Sequence, residues 1–120
     1  MADEDSPLLK GTLDMLILRS LKDGADHGYG VAQTIHRLSG DELLVEEGSL
    51  YPALHRLAKK GHIHSRWGRS ENNRRARFYE LTVRGGRQLH KEVERWNRMA
   101  AAISLVLQGA GAPGAEKASS

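Results

Sequence analysis

The sequence of 120 residues predicts a mainly α-helical fold with a small β-hairpin, which places it in the α+β class. Three observations lead to this prediction. Apolar residues recur at helical spacing in four separate segments. Between the third and fourth segments, residues 62–67 alternate and residues 75–81 are rich in strand-forming side chains, which is typical of a hairpin. The last segment keeps its apolar spacing up to residue 107, which predicts one long helix.

The first predicted helix covers residues 8–21 and is apolar on more than one side. Leu8, Met15 and Leu18 lie off its main stripe. A helix this apolar has to bury two faces, so we expect it to contact a second surface besides its own core. The main stripe consists of Leu9, Leu13, Leu16, Ile17 and Leu21.

Two shorter helices are predicted at residues 29–38 and 47–60. Residues 27–30 (HGYG) lack both a preceding strand and the dinucleotide-binding spacing, so we expect only a turn there. Gly48 or Ser49 is expected to cap the third helix. The inward residues are Val31, Ala32, Ile35 and Leu38 in the second helix, and Leu50, Leu54 and Leu57 in the third.

The predicted hairpin has a basic tip. Ile63, Ser65 and Trp67 fall on one face of its first strand, and alternate residues fall on the other. The connection at residues 68–74 (GRSENNR) contains Gly and Asn, which accept left-handed turn conformations. The second strand follows at residues 75–81.

The last predicted helix covers residues 83–107, with Thr82 as its cap. At 1.5 Å per residue it is roughly 37 Å long, which exceeds what the core of so small a domain covers. Its apolar residues follow steps of 4, 3, 4, 3 and 4, the spacing of a heptad seam. We therefore predict a homodimer in which the seam and the first helix form the interface. The predicted interface residues are Leu9, Leu13, Leu89, Val93, Trp96, Ala100, Ile103 and Leu107.

Composition excludes several classes of protein. The chain has no Cys, which excludes disulfides and thiolate metal sites. No stretch approaches the ~20 apolar residues of a membrane span, and the acidic start lacks the features of a signal peptide. We expect a cytoplasmic protein without a membrane partner. No carboxylate pair or activated nucleophile stands out, so neither enzyme activity nor a cofactor is predicted.

The formal charge of +3 is unevenly distributed. Residues 1–47 carry −6, residues 48–84 carry +7 and residues 85–120 carry +2. A basic middle segment on a nearly neutral chain is typical of a protein that binds a phosphate backbone. The alternative interpretation is a solvated charged face.

Three helices followed by a hairpin describe a winged helix-turn-helix, in which the third helix enters the major groove and the wing contacts the flanking backbone. The outward residues His55, Arg56 and Lys59 of the third helix can supply base and phosphate contacts. Arg69, Arg74 and Arg75 add charge at the wing tip. We therefore predict sequence-specific binding of double-stranded DNA, with no catalytic or metal site.

These elements predict four regions along the chain. The regions are a disordered N-terminus (1–7), a winged-helix DNA-binding domain (8–82), a dimerisation helix (83–108) and a disordered tail (109–120).

Several segments resemble the PadR family of bacterial repressors over about residues 8–107. They are 9–14 (LKGTLD), 27–30 (HGYG), 47–57 (EGSLYPALHRL), 67–68 (WG), 73–79 (NRRARFY), and 81–82 (LT) with Gly85. The resemblance implies a winged-helix domain and a homodimer built with the first and last helices, as in the compact subfamily with a single C-terminal helix. It also implies a short strand at residues 42–45 beside the wing. Gly86 departs from the family, which often has a basic residue there.

The resemblance further implies that Tyr29, Ser49 and Tyr51 face DNA and that the protein is a repressor released by a small-molecule effector. PadR-like repressors include members that bind aromatic or drug-like effectors at the dimer interface. Trp96 lies in the seam, where two copies of its indole would form a platform for a planar hydrophobic molecule. The alternative is that Trp96 only fills the dimer core.

Individual residues also admit a second interpretation. Tyr29 and Tyr51 are equally compatible with packing between helices. His62 and His64 share a strand face and supply two of the ligands that zinc requires, which would make the chain a metal-sensing repressor. A winged helix can also serve as a protein-interaction module, although such a module usually carries an apolar or acidic face on its third helix.

Overall fold

The computed structural model describes the backbone of residues 7–109 and the side chains of residues 11–109. In chain order its elements are α1 (Pro7–Ser20), β1 (Asp26–His27), α2 (Gly28–Leu38), α3 (Glu47–Lys59), β2 (Ile63–Arg69), β3 (Arg75–Leu81) and α4 (Val83–Gln108). The prediction of a mainly helical α+β fold is confirmed. The predicted disorder at the two ends falls outside these residues, apart from Pro7, which begins α1, and Gly109, which follows α4.

The chain divides into two compact units, of which the first ends at Leu89 and the second begins at His90. In the first unit α1 contacts both α2 and α3, and their apolar side chains form one core. The largest fully buried side chains are Ile17, Leu18, Leu21, Val31, Leu50, Leu54 and Leu57. Burial of these side chains is the main stabilising contribution to the fold.

From Leu13 onward, the apolar side chains of α1 belong to the core, although Leu16 is only partly buried. Met15 and Leu18, which lie off the main stripe, are 8% and 0% exposed. These two side chains therefore lie in the core of the chain itself, where α1 contacts α2 and α3. The expected second surface on α1 stays a prediction, because the Leu8 side chain lies outside the described residues. Leu13 and Leu89, predicted at a dimer interface, are 7% and 6% exposed and belong to this core, so they offer little surface to a partner. The Leu9 side chain lies outside the described residues.

The sheet has three antiparallel strands in the order β1-β3-β2. Cross-strand pairs such as Trp67 with Arg77 fix the register of the hairpin, and Asp26 pairs with Tyr79 on the other edge of β3. The strand expected at residues 42–45 is absent from the described chain, and that segment is irregular. β1 pairs with the edge of β3 that β2 leaves open. Residues 27–30 therefore end a strand and begin a helix, where only a turn was expected.

Two local expectations for α2 and α3 are corrected. The N-cap of α3 is Glu46, without a side-chain hydrogen bond, so neither Gly48 nor Ser49 caps it. Leu38 was expected to face inward but is 55% exposed, because it is the last residue of α2. The inward positions Leu50, Leu54 and Leu57 of α3 are confirmed.

The start of α4 is fixed by the predicted cap. The Gly85 amide donates to the Thr82 hydroxyl oxygen over 2.9 Å, and that hydroxyl donates to the Gly61 carbonyl over 2.7 Å. A Cβ at Gly85 would collide with the His62 carbonyl oxygen, so only glycine allows this approach of α4 to the start of β2. In the part of the chain that the structure describes, no helix is long and apolar enough to cross a membrane.

Candidate nucleic-acid interface

One face of α3 is buried and the other is exposed. The buried side chains recur every three or four residues and hold the helix on the core. The predicted contact residues Ser49, Tyr51, His55 and Lys59 are all exposed. Helical periodicity therefore leaves a continuous polar and basic strip, as expected from the sequence.

Arg56 has a different environment from its neighbours on this strip. Its Nη2 atom donates to Oδ1 of Asp14 over 2.7 Å, and the two side chains are 34% and 16% exposed. This ion pair joins α3 to α1. The guanidinium predicted to read a base is thus engaged in positioning the helix, and the sequence interpretation missed Asp14 because its partner is distant along the chain.

The first turn of α2 is held by residues of the HGYG segment. His27 is the N-cap, and its Nδ1 accepts a hydrogen bond from the Gly30 amide over 3.0 Å. The Asp26 carboxylate accepts a bond from the His27 amide over 2.8 Å and occupies the space where a side chain at Gly30 would lie. His27 also lies edge-on to Phe78 of β3, with ring centroids 5.5 Å apart. These contacts give Asp26 and His27 a structural role that was not predicted.

Tyr29 and Tyr51 lie close to this turn and remain accessible. Tyr29 is 65% exposed and its ring lies parallel to that of His27. Tyr51 is 45% exposed, and a Cβ at Gly28 would lie 2.8 Å from its ring. Tyr51 therefore lies against the start of α2 while nearly half of its side chain stays exposed. Packing between helices and contact with a ligand at the surface are therefore compatible for Tyr51.

The wing tip is ordered by its own polar groups. Asn73 adopts a left-handed conformation at φ 61°, as expected for this turn. Arg69 donates to the Asn73 carbonyl over 3.1 Å, and the Ser70 amide donates to the Arg74 carbonyl over 2.9 Å. Arg74 and Arg75 are exposed beside them. The predicted basic residues of the tip are thus brought together.

Trp67 and two arginines form a cluster on one face of the hairpin. The guanidinium carbon of Arg75 lies 4.4 Å from the centre of the Trp67 ring system, and that of Arg77 lies 5.1 Å away. Both distances are typical of cation–π interactions. Trp67 is nevertheless 53% exposed. Arg77 was not predicted as a site residue, although its register opposite Trp67 follows from the hairpin.

An open groove of about 600 Å³ separates the helices from the wing. Tyr29 and Tyr51 line it on the helical side, Trp67 and Arg74 line it on the wing side, and Tyr79 lies at its base. Burial raises the pKa of the Tyr79 hydroxyl, while Arg77 acts in the opposite direction. The base of the groove is therefore neutral and its rim is basic, which suits an anionic ligand such as a phosphate backbone.

The predicted seam residues of the second unit are less buried. Val93, Trp96, Ile103 and Leu107 are 37%, 45%, 50% and 80% exposed, and Ala100 is partly exposed. They lie on one helix at heptad spacing. Among the described residues, no cluster of three potential metal-ligating side chains occurs. His62 and His64 therefore form no such cluster there.

The fold and this interface together define a class of protein, the winged-helix regulators of transcription. The chain belongs to the PadR-like family of transcriptional regulators, since the model of that family matches residues 17–91. Members of this family are regulators rather than enzymes. The predicted family resemblance and the absence of enzyme activity are thereby confirmed.

Solved structures and one curated relative are similar over most of the chain. A transcriptional regulator from Clostridium thermocellum is 29% identical, with 82% of this chain and 96% of that chain covered and a TM-score of 0.74. A PadR-like transcriptional regulator from Bacillus cereus is 28% identical, with 87% and 99% covered and a TM-score of 0.72. An uncharacterized protein of Lysinibacillus sphaericus is 28% identical over 104 residues, with 87% of this chain and 95% of that protein covered.

Proposed function

We propose that the protein regulates transcription by binding double-stranded operator DNA through α3 and the wing. The observation that carries the proposal is the exposed strip of α3, from which Tyr51 lines the groove that the arginine-rich wing borders on its other side. Such a helix fits the major groove, and the wing reaches the adjacent backbone. Because its proposed partner is DNA, we propose a cytoplasmic location.

The exposed residues divide into two groups by their chemistry. Ser49, Tyr51 and His55, with Tyr29 from α2, are short or planar polar groups suited to base edges. Lys59 and the wing residues Arg69, Arg74 and Arg75 are suited to phosphates, which fix the register of the protein without carrying sequence information. Arg56 contributes by holding α3 to α1 through Asp14.

The second unit is proposed to mediate homodimerisation. Val93, Trp96, Ile103 and Leu107 form an exposed apolar seam with Ala100, and a second copy of the same helix would cover it. A two-fold dimer binds a pseudo-palindromic operator with half-sites about one helical turn, or a multiple of one, apart.

The regulator is proposed to be a repressor that a planar hydrophobic effector releases. The half-exposed indole of Trp96 lies in the seam, where the partner's copy would approach it across the two-fold axis. An effector that stacks there lowers operator affinity if it binds the DNA-free arrangement of the dimer more tightly than the DNA-bound one. The ratio of these two affinities limits the size of the effect.

Selection of bound sites from random duplex DNA tests the central proposal. We expect enrichment of one pseudo-palindromic sequence, and a changed preference at one or two positions for Tyr51→Ala. Arg74→Ala should retain the wild-type preference while binding every sequence more weakly. A pool that shows no enrichment would contradict sequence-specific DNA binding.

A further inference from the structure

Trp67 is a large aromatic residue on the surface of the wing. Its side chain is 53% exposed, so its contribution to the core of the first unit is small. The guanidinium carbons of Arg75 and Arg77 lie 4.4 Å and 5.1 Å from the centre of its ring system. An exposed indole that contacts two guanidiniums can act on those side chains rather than on the core.

The strand register explains how this cluster forms. Trp67 pairs directly with Arg77, while Arg75 pairs with Arg69 and lies diagonal to Trp67 on the same face. Three arginines therefore lie on adjacent positions of one small face. In the part of the chain that the structure describes, the ion pairs lie elsewhere, and these three arginines have no carboxylate partner.

We propose that Trp67 is a positioning residue that holds Arg75 and Arg77 in place for contact with the DNA backbone. The face of the indole attracts both guanidiniums and restricts their rotamers before binding. Because a free arginine side chain loses conformational entropy when it binds, restricting it beforehand raises affinity. The hydrogen bond from Arg77 Nε to the Ser65 hydroxyl, over 3.2 Å, supports the same side-chain orientation.

The inference rests on the proposed function and makes a distinct prediction about charge. Trp67→Leu removes the aromatic face but no charge, so the number of phosphates contacted stays the same. We expect affinity for all duplex sequences to fall by at most about 5- to 30-fold, the order of magnitude of two exposed cation–π contacts. The slope of log affinity against log salt should not change. Arg77→Gln, in contrast, should lower that slope by about one phosphate contact.

The test compares Trp67→Leu in two backgrounds, the wild type and the Arg75→Gln/Arg77→Gln variant. If Trp67 acts through the arginines, its substitution weakens binding in the wild type and has almost no effect in the double variant. Trp67→Phe retains an aromatic face and should recover part of the affinity. Thermal unfolding of each variant checks that the wing still folds.

The outcomes separate this inference from the proposed function. An equal loss for Trp67→Leu in both backgrounds, or no loss in the wild type, would overturn the positioning role while leaving DNA binding intact. A wild-type protein that binds no duplex at any salt concentration would remove the proposed function, and the inference with it.

Discussion

Replacing Arg56 with Met is expected to destabilise the first unit and to leave base preference unchanged. The guanidinium lies 2.7 Å from the Asp14 carboxylate, and the two side chains are 34% and 16% exposed. Met keeps the apolar stem of the side chain, so the substitution removes mainly the ion pair. The Asp14 carboxylate then stays largely buried without its partner.

The expected loss lies between two measured extremes. Fully exposed ion pairs contribute about 0.2–1 kcal/mol. Removal of one partner from a fully buried pair costs about 3–5 kcal/mol. The partial burial of Asp14 and Arg56 places the loss for Arg56→Met at about 1–3 kcal/mol, between these two cases. In a domain of this size, each kcal/mol corresponds to a fall of roughly 4–8 °C in Tm.

Urea unfolding of Arg56→Met, Asp14→Asn and the double variant measures this interaction. We expect a coupling energy of about 1 kcal/mol or more between the two sites, since they are in direct contact. Lys59→Met is the matched control, because Lys59 lies on the same exposed strip and its substitution should change stability by less than about 0.5 kcal/mol. If Arg56→Met unfolds like the wild type but loses preference at one operator position, Arg56 reads a base and the positioning argument is wrong.

Three further predictions concern other parts of the chain. Gly28→Ala should displace the Tyr51 ring and weaken operator binding, since the new Cβ would lie 2.8 Å from that ring, whereas Gly11→Ala meets open space and should bind normally. Equal operator binding by the two variants would contradict this role of Gly28. Trp96→Asp should convert the dimer into a monomer in sedimentation at micromolar concentration, because a charge in an apolar seam is unfavourable. A wild-type protein that is monomeric and still binds its operator with full affinity would disprove the dimer. In a Trp67→Phe background, planar aromatic compounds should quench Trp96 fluorescence and lower operator affinity together, and no effect on either across a broad panel would leave Trp96 without an effector role.

Elements with a long regular pattern could be predicted from the sequence. Helical spacing located α1, α3 and α4, and the capping role of Thr82 followed from its place before the last apolar run. The hairpin was recognisable because alternation and turn residues agree over its whole length. In these segments each local preference points to the same structure, which is why single-sequence reasoning succeeds there.

Features that depend on distant pairing could not be predicted in this way. β1 has two residues, too few for an alternating pattern, and it exists only because β3 offers a free edge. The partner of Arg56 lies 42 residues earlier in the chain, so the helical wheel of α3 alone could not reveal the ion pair. The cluster around Trp67 was accessible in principle, since the hairpin register places Arg77 opposite it.

The dependence of operator affinity on salt tests the central claim most directly. Residues 48–84 carry +7, and Arg74, Arg75 and Arg77 of this segment border the groove between the helices and the wing. If six or more phosphates are contacted, affinity for the selected operator should fall by roughly 10³-fold or more between about 50 and 200 mM salt, linearly on logarithmic axes. An affinity that stays constant over this range would contradict binding of a DNA backbone by this surface.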